Sequence, residues 1–159
     1  MKELLEILEN NAKLTPKEIS LMLGKDEKSV IKEIKKYEDK GIILKYKAVI
    51  NQEALGQSQE VRALIEVQVS PQRGGFDSIA ERIYRFPEVK SCYLLSGGFD
   101  LLLIVEGKDI HDVAKFVSEK LSCIEHVRGT VTHFILKKYK EDGEILKVKE
   151  KDKRLSVTP

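Results

Sequence analysis

Lys28, Lys32 and Lys35 follow one another at helical spacing, and at about 100° per residue they share one narrow arc of a helix predicted over 26–40. Ser29 and Lys36 lie beside that arc, while Val30, Ile34 and Tyr37 point the opposite way. Amines ranked along one face above an apolar opposite face suit a helix that docks on a core and neutralises the phosphates of a nucleic-acid backbone. Lys25, just ahead of the helix, extends the set, so the candidate DNA contacts are Lys25, Lys28, Ser29, Lys32, Lys35 and Lys36. The same pattern also describes a solvated surface helix, and Glu33 and Asp39 lie near enough to weaken the field. Asp26 and Glu27 oppose it less, because carboxylates in a first turn cap the helix and favour its dipole. The functional reading therefore rests on the elements around the lysines.

Other chemistry is poorly supported. His111, His126 and His133 share no metal-ligand spacing, no serine or cysteine nucleophile motif occurs and no phosphate loop is present, so neither catalysis nor a metal or cofactor is expected. Cys92 and Cys123 are far apart and form no CxxC, which points to two buried free thiols. No apolar run approaches the roughly 20 residues that cross a bilayer, and the charged N-terminus lacks a signal-peptide core, so a cytoplasmic protein is expected.

The chain has 159 residues, 42% of them hydrophobic and 34% charged, with a net charge of +2. That is enough apolar material for one ordinary domain or two small ones, and the charge is too balanced to announce a nucleic-acid partner globally. Residues 1–50 hold 11 lysines and 9 acids, with no arginine before Arg62. Bidentate reading of guanine is mainly an arginine device, so weak or degenerate base specificity is expected.

The lysine helix is the third of three. Leu4, Leu5, Ile7 and Leu8 form the apolar stripe of the first, which Asn10 and Asn11 close. Thr15-Pro16-Lys17-Glu18 is a capping box with proline at the first helical position, and Gly24 ends the second helix, which buries Ile19, Leu21, Met22 or Leu23 according to its phase. Helix, glycine turn, helix reads as helix-turn-helix. Gly41 then ends the third helix, and 42–50 is β-rich, with Lys45 and Lys47 on one alternating face as in a wing. The segment 51–60, with Gly56, reads as a linker.

The second half changes period. Val61, Ala63, Ile65, Val67 and Val69 alternate with Arg62, Glu66 and Gln68, as in a strand with one buried face. A helix over 76–86 with Ile79 and Ile83 on its stripe, a strand over 89–96, a turn at Gly97-Gly98 and a strand over 100–105 follow. Asp109 caps a second helix with Ile110, Val113, Ala114, Val117 and Leu121 at helical spacing, and 127–137 completes the set. The order βαββαβ predicts a ferredoxin-like sheet with both helices on one face. Leu101 to Val105 is apolar on both sides, so a partner sheet is expected against the open face, with Leu101, Leu103 and Val105 assigned to a homodimer interface.

The chain resembles the Lrp/AsnC, or feast/famine, transcriptional regulators over nearly its whole length. The likeness is carried by Leu5 to Leu8, by Leu14-Thr15 with Ile19 and Gly24, and by Val30, Lys32, Ile34, Lys35-Lys36 and Glu38 closing in Gly41-Ile42-Ile43. The stretches Cys92 to Asp100 and Val127 to Thr132 complete it. The resemblance implies an α+β protein: a winged helix-turn-helix domain over 1–50 and a ligand-sensing and dimerisation domain over 61–140. The tail over 141–159 extends past the family's usual end, and the alternation in Ile145-Leu146-Lys147-Val148-Lys149 leaves room for one more strand. The resemblance also implies dimers and higher assemblies such as octamers on double-stranded DNA, and a small amino acid bound between sensing domains. The matching effector residues are Ser96, Gly97, Gly98, Phe99, Asp100, Thr130 and Thr132. Glycines let backbone N–H groups approach a carboxylate and Asp100 suits an α-ammonium, but a tight hairpin needs the same residues, and both readings stay open. The family usually carries Leu-Ser before the recognition helix, arginines within it and an acid where Gly98 stands. An effector-independent architectural DNA binder is therefore the alternative.

Overall fold

The chain divides into two compact units, 1–50 and 51–159, and the computed structural model describes residues 2–55, 60–70 and 75–146. The first unit holds α1 (Lys2–Asn10), α2 (Pro16–Leu23) and α3 (Glu27–Asp39). Leu4 and Leu8, Ile19, and Val30 and Tyr37 bury one another at its centre, one or two from each helix. With so small a core, local signals must fix the helix ends. Thr15 does so for α2: its side chain accepts from the Glu18 N–H, and its own N–H donates to the Glu18 carboxylate at 2.7 Å. Gly24 (φ 62°) closes α2 in the left-handed region. Of the apolar residues on this helix, Ile19 is fully buried and Leu23 reaches the core margin, whereas Leu21 and Met22 stand exposed.

Asp26 caps α3 by accepting from the Ser29 N–H at 3.2 Å. At the other end Gly41 takes φ 65°, its N–H donates to the Glu38 carbonyl and that of Ile42 to the Tyr37 carbonyl, the two bonds of a Schellman cap. The strand expected over 42–50 does not form. Alternation supplies the two faces of a strand, but strand order needs a ladder partner for every second N–H and C=O, and the described residues of this unit supply none. Ile43 packs on the core margin, and the Tyr46 hydroxyl donates to Glu38 at 2.9 Å.

The second unit opens with one helical turn, α4 (Gln52–Leu55), where a linker was expected; Asn51 caps it by accepting from the Ala54 N–H at 3.3 Å. The sheet then comprises β1 (Val61–Val69), β2 (Val89–Leu94), β3 (Leu101–Gly107) and β4 (Val127–Phe134), all antiparallel in the order β2-β3-β1-β4. With α5 (Gly75–Ile83) and α6 (Ile110–Phe116) this is the ferredoxin-like βαββαβ arrangement. One sheet face, with Ala63, Ile65, Val67, Leu103 and Val105, packs on Ile79 and Ile83 of α5 and Val113 and Phe116 of α6.

Several boundaries differ from the sequence reading: β2 ends at Leu94 and β4 at Phe134, short of the 96 and 137 expected. The helix expected over 76–86 is α5, which stops at Ile83 and passes through a turn, with the Phe86 N–H donating to the Ile83 carbonyl, ahead of Pro87. Asp109 caps α6 as expected, but α6 passes into a π-helical turn, Val117–Leu121. The wider turn brings Leu121 onto the same face as Phe116, five residues before it, and both are buried with Val113 and Ile124, while Ile110 and Ala114 are exposed. The tail begins with a hairpin of β5 (Lys140–Glu141) and β6 (Glu144–Ile145), whose turn residues Asp142 (φ 45°) and Gly143 (φ 88°) have the positive φ values a two-residue hairpin favours. The strand considered around Ile145 to Lys149 is thus met at its first residue; 147–159 lie outside the described residues. Cys92 is half-buried and Cys123 exposed, so only one of the two thiols is shielded.

Candidate functional site

In the first unit, Val30 and Tyr37 anchor α3 by its inner face, and Lys28, Lys32, Lys35 and Lys36 are all exposed on the rest. Ser29 stands with them at the N-terminal end, its N–H committed to the Asp26 cap. Lys25 differs: its ammonium pairs with Glu33 at 3.3 Å. Glu33 also accepts from the Tyr37 hydroxyl at 2.9 Å, and that bond foremost, against a smaller burial penalty and with help from Lys25, holds its carboxyl below the usual range. The acid that threatened to dilute the lysine face thus serves the turn and the core edge, and it occupies Lys25. Sequence reasoning passed over Ile31, which is 47% exposed on the outward side; the signal was its place between Lys28 and Lys35.

In the second unit, β2 and β3 are joined by 95–100, a longer connection than a two-residue turn. Asp100 fastens it: its N–H donates to the Val67 carbonyl (3.1 Å), its carboxylate accepts from the Val69 N–H (2.8 Å), and its carbonyl accepts from the Leu95 N–H (2.8 Å). The Val69 N–H is available because the β1–β3 ladder ends at the pair Val67–Leu101, two residues before it. The Gln68 side chain donates to the Gly98 carbonyl at 3.3 Å. Gly97 (φ 152°) takes a conformation that disfavours a side chain, and Ser96, Gly97 and Gly98 are exposed while Phe99 and Asp100 are half-buried. Thr130 pairs with Val67 on the opposite edge of β1, at the same end of the sheet, and Thr132 pairs with Ile65 one pleat further in. The loop residues and Thr130 therefore converge on one end of β1; Asp100 has a structural duty there whatever else it binds.

The assignment of Leu101, Leu103 and Val105 to a dimer interface is corrected. All three lie in the protomer core against the helices. Because side chains alternate along a strand, the neighbours Leu102 and Ile104 face the other way. The register places them beside Leu64 of β1 and Tyr93 of β2, with Val131 beyond Glu66 on β4. Tyr93 is 50% and Val131 43% exposed on this outer face. At one end of it Arg62 binds Glu106 (2.7 Å) and Glu141 of the hairpin (2.6 Å).

Residues 62–145 match the family model of the Lrp/AsnC ligand binding domain, and residues 1–43 that of a winged helix-turn-helix DNA-binding domain. An uncharacterized HTH-type transcriptional regulator, YugG, of Bacillus subtilis is 46% identical over 158 residues, 99% of this chain and 95% of its own. The HTH-type transcriptional regulator FL11 of Pyrococcus furiosus is 31% identical, covering 91% of this chain and 92% of its own. Among solved structures, the transcriptional regulator NMB0573 of Neisseria meningitidis in complex with L-Met superposes with a TM-score of 0.70 at 27% identity, over 87% of this chain and 89% of that one.

Proposed function

Because this chain belongs to the Lrp/AsnC family and is a DNA-binding transcriptional regulator rather than an enzyme, we propose that α3 is its recognition helix and that a small amino acid tunes its action. The observation that carries the first half is the row of exposed lysines on the face of α3 opposite Val30 and Tyr37. Lys28, Lys32, Lys35 and Lys36 take phosphates along a major groove, with Ser29 at the N-terminal end where a recognition helix meets base edges. Lys25, held by Glu33, contributes least.

The amino acid binds at the loop 95–100. Exposed glycine backbone at Gly97 and Gly98 suits a carboxylate, Asp100 is near the ammonium end, and Ser96, Phe99, Thr130 and Thr132 frame the side chain. The Neisseria relative solved with L-Met supports an effector of this class. Two copies pair through the outer sheet face carrying Leu64, Leu102, Ile104, Tyr93 and Val131, which sets two recognition helices for two half-sites and permits larger assemblies. A cytoplasmic location suits a regulator that works on DNA, and no helix of the described residues is long and apolar enough to cross a membrane.

The test is a titration of a fluorescent duplex from the protein's own upstream region, with and without a pool of amino acids. Binding that shifts with one amino acid is expected, and Lys32→Ala or Lys35→Ala should each weaken it on every sequence and flatten the salt slope by about one. Tight binding indifferent to all amino acids would remove the effector, and unchanged binding by both variants would remove α3.

A further inference from the structure

The outward face of α3 is not purely cationic. Ile31 lies on it, about 60° around the helix from Lys28 and about 40° from Lys35. The core takes Val30, Ile34 and Tyr37 from this helix and leaves Ile31 47% exposed. Scattered exposed apolar residues are ordinary, so exposure alone says little. What decides is the company: the residues three and four positions away, which share its side of the helix, are Glu27, Lys28, Ile34 and Lys35, so Ile31 stands at the border between the core-facing stripe and the lysines, and the lysine row beside it is complementary to a polyanion. With α3 in a major groove, the long lysine side chains extend to the flanking phosphates, and Ile31, at the edge of their row in the second turn of the helix, is the apolar side chain of that surface within reach of base edges. Among the groups those edges display, one is apolar: the C5-methyl of thymine.

We propose that Ile31 is a specificity-determining residue that packs against a thymine methyl, so that this regulator selects sites by thymine position. The inference rests on α3 being the DNA-facing helix. It also gives base preference a source in a domain that has no arginine for guanine. Discrimination of this kind is modest, since one methyl removed from an apolar contact costs about fourfold in affinity.

The experiment deletes that methyl from either side of the contact. Duplexes are selected from a random-sequence pool with the full-length protein, then re-amplified with deoxyuridine in place of thymidine, which removes the methyl and nothing else. Affinities for both duplexes are measured by fluorescence anisotropy at one salt concentration for the wild type and for Ile31→Ala, with circular dichroism confirming that the variant is folded. The wild type should lose about fourfold per contacted methyl on the uracil duplex. Ile31→Ala should bind thymine and uracil duplexes alike, with the wild-type salt slope, whereas Lys32→Ala should keep the thymine preference and lose slope. A wild type indifferent to the methyl overturns the proposal on its own, without reference to any variant. A uracil penalty that persists in Ile31→Ala overturns it too, because another residue then reads the methyl. Salt-insensitive or absent binding to every duplex overturns instead the DNA-facing reading of α3.

Discussion

The two units of this chain reach stability by different routes. The helical unit buries Leu4, Leu8, Ile19, Val30 and Tyr37 and little else, and its helices begin and end at caps: Thr15, Gly24, Asp26 and Gly41. The sheet unit buries a continuous layer from Ala63 to Val69, Leu101 to Val105 and both helices, and its elements end where pairing ends. A thin core leans on local chemistry and a thick one on long-range register. Both leave large apolar side chains exposed, among them Leu21, Met22, Ile42 and Leu44 in the first and Tyr93, Leu94, Leu95 and Leu136 in the second.

The largest test of this contrast sits on β3. Leu103→Asp should unfold the sheet unit, since an unpaired charge in that layer costs several kcal/mol, whereas Leu102→Asp should leave the protomer folded and weaken only its assembly. Thermal melts and size-exclusion chromatography separate the two; a folded monomeric Leu103→Asp would reverse the assignment of faces. Next come Ile19→Ala and Ile65→Ala, equally buried at 0% exposure and each expected to cost about 2–5 kcal/mol. The same loss should abolish protection from hydrogen exchange throughout the helical unit but only thin it in the sheet unit. Equal protection in both variants would mean the small core is not the weaker one.

Smaller effects probe the caps. Thr15→Ala should cost about 1 kcal/mol, and Gly41→Ala roughly 1–2 kcal/mol, because alanine resists the left-handed conformation. Urea midpoints that do not move would show that packing, not capping, fixes these helices. The smallest effect is electrostatic. Glu33 is held below its usual pKa by Tyr37 and Lys25, and Glu141, although burial pushes it up, is held below on balance by Lys138 and Arg62. A lowered folded pKa stabilises above the unfolded value of about 4.3 and is lost as pH falls through the folded one. Stability should therefore hold from neutral pH to about pH 5 and then decline. Glu33→Gln should soften that decline in the helical unit alone, and Glu141→Gln in the sheet unit alone; a single shared response would deny the division.

Legibility followed the same division. The capping box, Gly24, Gly41 and the Asp109 cap could be read directly, because each is a contact between residues a few positions apart. The alternation in β1 and the βαββαβ order were equally plain. What escaped depends on how the chain packs: the missing ladder for 42–50, the π-helical turn that sets Leu121 on the face of Phe116, and the face of β3. Leu101 to Val105 is apolar at every position, so its sequence could not say which set faces the helices; only pairing with β1, where Ala63 and Ile65 are buried, decides. In the candidate site the lysine row was legible from its period. The capture of Lys25 by Glu33 was not, since it depends on how the turn folds back along α3.

Asp100 has a consequence for how a signal would travel. The loop 95–100 exposes its glycines and is bolted at its foot, where a single residue holds Leu95 on one side and Val67 and Val69 on the other. A molecule that tugged on the tip would therefore not simply bend a slack thread. It would pull through a rigid mount on β1, a strand flanked by β3 and β4 and rooted in the domain's core, so that a small load at the rim is delivered to the middle of the sheet.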